Sequence, residues 1–118
     1  MKTIYNALYL SIFLHFLRIF LSKFITRDGM LYSLYIPGCN RKNRDFTVLV
    51  ATSPNYGVLR NMGKYLDSLS WTSEIAVDGT FVPDDGETII RLDDPELRTL
   101  FNKNDYAEIA EALNHATA

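Results

Sequence analysis

Side chains able to do chemistry are sparse in this sequence and poorly grouped. Cys39 is the only cysteine, so no internal disulfide can form, which suits a reducing compartment. A lone thiol makes no structural zinc site, and His15 and His115 stand at opposite ends of the chain. Asp84, Asp85, Asp93 and Asp94 lie near one predicted hairpin, but their spacing matches no calcium or magnesium loop. They are expected as turn and cap residues, and no metal is expected. Ser53 has no base near it in sequence and reads as a helix cap. Gly57 and Gly63 fall inside a predicted helix, where they cannot form a phosphate-binding loop at its entrance.

Arg41, Lys42 and Arg44 are the densest basic group. Their charge suits phosphates of nucleic acid or of lipid headgroups, although no aromatic residues interleave them. A solvated loop is the simpler expectation, and nucleic acid is not an expected partner. The charge is divided along the chain. Residues 1–64 carry nine Lys/Arg against two Asp, a balance of +7, and residues 65–118 carry three against twelve Asp/Glu, a balance of −9. Either the halves present a basic and an acidic surface to partners, or they neutralise each other within the fold or between subunits. The second is the more economical expectation.

These groups must be positioned by two parts: an apolar N-terminal helix within residues 1–29 and a small α+β domain over 30–118. With 118 residues, 47% apolar and 22% charged, the chain has room for one domain and an appendage. Residues 4–25 would extend roughly 33 Å as a helix, enough to cross a bilayer core of about 30 Å. Ser11, His15, Arg18 and Ser22 recur at i, i+4, i+7 and i+11, a single polar stripe on an otherwise apolar cylinder.

Three roles fit this segment: a membrane span whose polar stripe faces another copy, a helix in the interfacial plane, or a helix packed on this domain or a partner subunit. A start at Met30 would leave the segment out altogether. No small-residue cleavage site follows it, so a signal peptide is not expected. If it spans, the basic residues after it place the C-terminal domain in the cytoplasm. The expected location is therefore cytoplasmic or inner-membrane-associated, and a homo-oligomer or a complex with a host protein is expected.

Within the domain, Leu31–Ile36 has strand composition and ends at Pro37-Gly38, followed by a polar loop over Cys39–Asp45. Phe46–Thr52 is a continuous β-branched and aromatic run, as in a covered central strand. Ser53-Pro54 then opens a helix bearing Val58, Leu59, Met62, Tyr65, Leu66 and Leu69. Glu74–Val82 and Glu87–Leu92 read as a hairpin about Pro83-Asp84-Asp85-Gly86. Asp94-Pro95-Glu96 starts a helical turn, and Asp105 with Glu108 forms a capping box for the last helix. From Phe46 the order is strand–helix–strand–strand–helix, the ferredoxin-like pattern without its final strand, a place Leu31–Ile36 can fill.

Phe46–Thr52, Gly79-Thr80-Phe81 and Glu87-Thr88-Ile89-Ile90-Arg91 together resemble the small phage-encoded proteins of the S-adenosylmethionine lyase (formerly hydrolase) group, over about residues 46–113. The resemblance implies a ferredoxin-like fold, a phage-like origin, and a ligand pocket at a subunit boundary lined by Phe81 and Glu87. Glu87 matches the glutamate of that pocket, where a carboxylate would stabilise a sulfonium charge. Phe81 replaces its tyrosine and lacks the hydroxyl, and the family's last strand has no counterpart. Three functions stay open: the first two are a non-enzymatic, phage-like accessory protein that binds a partner or itself, and an enzyme binding or cleaving S-adenosylmethionine with Glu87 as its catalytic residue. A small single-span membrane protein is the third.

Overall fold

The computed structural model describes residues 29–84 and 86–117. Segment 4–25 with Ser11, His15, Arg18 and Ser22, the Arg27-Asp28 part of the predicted turn, and Asp85 lie outside the described residues. Among the described residues, no helix is long and apolar enough to cross a membrane.

The domain is α+β, with a four-stranded mixed sheet in the order β3-β1-β2-β4. Strand β1 (Tyr32–Arg41) pairs antiparallel with both β2 (Arg44–Ser53) and β3 (Glu74–Val77), and β2 pairs parallel with β4 (Thr88–Arg91). The apolar run from Phe46 is thus a central strand, as expected. The expected hairpin between the third and fourth strands does not form: β3 and β4 occupy opposite edges of the sheet. Pro83, Asp84 and Gly86 turn the chain, but within a connection that crosses between the edges. The true hairpin is β1–β2.

That hairpin explains why the expected stop at Pro37 and loop over 39–45 are both absent. The register slips between Ile36 and Cys39, so Pro37 and Gly38 sit in a bulge, which tolerates a residue without an N–H. Gly38 has φ +71°, a backbone angle that glycine adopts without steric cost. The strand then continues to Arg41, and Lys42 (φ +53°) with Asn43 (φ +60°) closes a two-residue turn. Positive φ at both central residues matches the twist of the flanking strands.

On β1, Leu34 and Ile36 alternate with Ser33 and Tyr35, so they face opposite sides of the sheet. Leu34 meets α1 (Tyr56–Ser68), while Tyr35 stacks on Phe81 of the crossing connection. The helix buries Leu59, Met62, Gly63 and Leu66, a face at i, i+3, i+4 and i+7. Gly63 lets β3 approach: a Cβ there would lie 3.0 Å from Ser73 Oγ and 3.6 Å from Leu34 Cδ1.

Both expected helix starts move. Asn55, not Ser53, caps α1, its side chain accepting from Val58 N at 3.3 Å. Ser53 Oγ accepts from Asn55 N one step earlier. Asn102, not Asp105, caps α3 (Lys103–Glu111), accepting from Asp105 N at 2.7 Å. In each case an asparagine just upstream of the helix has the shorter reach to the free N–H groups. The turn from Asp94 leads into α2 (Leu97–Leu100), with Asp94 Oδ1 accepting from Glu96 N. A 3-10 turn over Ala112–His115 follows α3 and lays His115 flat on Tyr65, centroids 3.9 Å apart.

Candidate functional site

The crossing connection begins after β3 with Asp78 and Gly79, where Gly79 has φ +83°. Asp78 is held at both ends: its N–H donates to Leu31 O, and its carboxylate accepts from Ser33 Oγ at 3.0 Å. The chain then lays Phe81 on Tyr35, with ring centroids 4.2 Å apart and planes 18° from parallel. Such aromatic pairs contribute roughly 0.5–1.5 kcal/mol beyond area burial. A second turn follows, in which Glu87 N donates to Asp84 O at 3.0 Å and Gly86 takes φ +79°.

Glu87 fastens this turn to the sheet. Its Oε1 accepts from Gly38 N at 3.1 Å. Its Oε2 accepts from Asp84 N at 3.1 Å and from Thr47 Oγ1 at 3.4 Å. One carboxylate therefore joins the β1 bulge, the central strand β2 and the crossing turn.

Between the connection and the β3 edge lies a cleft of about 400 Å³, lined by Glu74, Phe81, Asp84 and Glu87 among others. Phe81 and Glu87 line this same cleft. It adds Glu74 and Asp84, which sequence reading treated as strand and turn residues. Among the described residues no basic side chain lines the cleft, and its three carboxylates favour a cation. Phe81 supplies an aromatic wall, although its ring already stacks on Tyr35. Among the described residues, no group of three or more His, Cys, Asp and Glu is placed to hold a metal ion.

Arg41, Lys42 and Arg44 come together at the β1–β2 turn, but each bonds within the chain. Arg41 Nη2 donates to Asp105 Oδ2 at 3.1 Å, with its guanidinium 5.5 Å from the Trp71 ring and 5.3 Å from Phe101. Arg44 pairs with Glu96, and the Lys42 ammonium donates to Thr99 O. All three links join the basic half of the sequence to the acidic half, two of them as ion pairs. In these pairs the charge split is neutralised within the fold. Trp71 completes the cluster, its Nε1 donating to Glu108 Oε1 at 3.3 Å.

Cys39 is buried beside this region, its Sγ 3.6 Å from Ile36 O. Desolvation pushes its thiol up to about 11, with the Arg41 charge opposing and the Glu87 charge adding to the shift. A thiol held protonated is a poor nucleophile and metal ligand.

No family model matches the chain, and no curated protein or solved structure matches it.

Proposed function

We propose that this chain is a non-enzymatic accessory protein, which works by binding a partner or copies of itself through the apolar segment 4–25. The observation that carries this proposal is the use made of Glu87. The one acid for which sequence suggested a catalytic role accepts three hydrogen bonds from its own fold and braces a connection. An acid so engaged is a structural tie first, since its lone pairs are spent on the backbone and on Thr47. The apolar segment supplies the means of association, because an uncovered stretch of that length would not stay dispersed in water. Mass measurement in detergent-free buffer tests this, and a well-behaved monomer contradicts it.

One observation favours a second function, the binding of S-adenosylmethionine. Phe81 and Glu87 line the same cleft as Glu74 and Asp84, and carboxylates beside an aromatic wall suit a sulfonium. Thermal unfolding with millimolar S-adenosylmethionine, and chromatography of the incubated ligand, decide it. The absence of both a melting shift and turnover would remove this function. The ferredoxin-like assignment belongs with these proposals. It is supported by the strand–helix–strand–strand–helix succession after β1, while the pairing of the edge strands is this chain's own.

A further inference from the structure

A second cleft, of about 290 Å³, lies between α1 and the β3 edge. Tyr56, Arg60 and Lys64 line it from one stripe of the helix, at i, i+4 and i+8. All three are exposed, Tyr56 to 50%. Tyr56 is steadied on one side by an edge contact with Tyr32, centroids 5.5 Å apart. Arg41 and Arg44 each pair with a carboxylate of the fold, and Lys42 with a carbonyl. The Arg60 and Lys64 side chains, in contrast, make no ion pair or hydrogen bond among the described residues. The cleft's carboxylate, Asp67, is occupied with Ser73, whose N and Oγ both donate to its Oδ1 at 3.1 Å.

We propose that this cleft binds a nucleoside phosphate, with the base stacked on Tyr56 and the phosphates paired with Arg60 and Lys64. Three features select that chemistry over a simple anion. The aromatic ring and both cations share one stripe, which runs roughly 12 Å along the helix axis, a span that suits a base at one end and a chain of phosphates at the other. Arg60 offers a planar fork of donors matched to phosphate oxygens, and Lys64 adds a point charge. An exposed ring beside cations is also the arrangement by which proteins hold single bases without reading sequence. The basic residues that sequence singles out, at the β1–β2 turn, are tied into the fold, whereas Arg60 and Lys64 on α1 have no such tie among the described residues.

The test titrates the full chain with ATP, inorganic triphosphate, oligothymidylate and polyglutamate. ATP is expected to bind about fivefold or more tighter than triphosphate, the difference supplied by stacking, and Tyr56→Ala is expected to erase that preference. Arg60→Gln with Lys64→Gln is expected to weaken ATP about tenfold or more. Arg91→Gln, on the far edge of the sheet, is expected to leave it unchanged. Both α1 positions are exposed, so the double variant should fold, which circular dichroism checks. Tighter binding of ATP than of oligothymidylate assigns a free nucleotide, and the reverse assigns a strand; either supports the proposal. Absence of saturable binding at millimolar ATP overturns it. So does ATP affinity unchanged in the double variant, or displacement by polyglutamate as effective as by ATP.

Discussion

Gly38 N donates to Glu87 Oε1 at 3.1 Å, so the bulge in β1 and the turn before β4 are tied by one carboxylate. The bulge exposes an N–H that no strand partner takes, and the glutamate answers it from forty-nine positions away in the chain. Truncating the side chain strips Gly38 N and Asp84 N of their acceptor together. Glu87→Ala is expected to cost about 1–3 kcal/mol in urea unfolding, and Glu87→Gln less, because an amide oxygen keeps part of the acceptance. An Ala variant as stable as the native chain would show the tie to be idle.

The Arg41 contact with Asp105 combines an ion pair with two aromatic faces. Arg41 is about one-third exposed (36%), so water screens the pair and its own share is small. Adding the guanidinium over Trp71 and Phe101, Arg41→Ala is expected to cost about 1–2 kcal/mol. A double-mutant cycle with Asp105→Asn should return about 0.5–1 kcal/mol of coupling. Arg41→Lys keeps the charge but lacks the flat guanidinium, and should recover less than half of the loss. Zero coupling would mean that the turn is held by its backbone alone.

Cys39 should report the integrity of the core. Its thiol is pushed up to about 11 by burial, so folding favours the protonated form. The stability this contributes is fully present below the ordinary thiol range and is lost as pH rises through it towards about 11. Reaction with an aromatic disulfide reagent at pH 8 should accordingly be far slower in the native chain than in urea. Equal rates in the two conditions would contradict the burial.

What sequence reveals here follows from how local each interaction is. The β2 strand and the α1 helix are legible because a β-branched run and a 3.6-residue repeat are written in consecutive residues. The pairing of β3 and β4 is not, because Pro83, Asp84 and Gly86 carry hairpin chemistry whether the next strand pairs nearby or across the sheet. The β1–β2 hairpin hides for the opposite reason. Its turn is Lys42-Asn43, without the glycine that usually marks positive φ, and Pro37-Gly38 looks like a stop when it is a bulge. Resemblance singles out Phe81 and Glu87, while Glu74 and Asp84 join their cleft only through the crossing connection. Arg60 and Lys64 stand four residues apart on a predicted helix, a spacing visible in sequence. That no described residue answers their charges is visible only in the fold.

The claim that association defines this protein is tested most directly by light scattering in detergent-free buffer. The full 13.5 kDa chain is run beside a chain beginning at Met30. The expected result is a mass of two or more subunits for the full chain and of one subunit for the shorter chain. A dispersed, stable monomer of the full chain would contradict it.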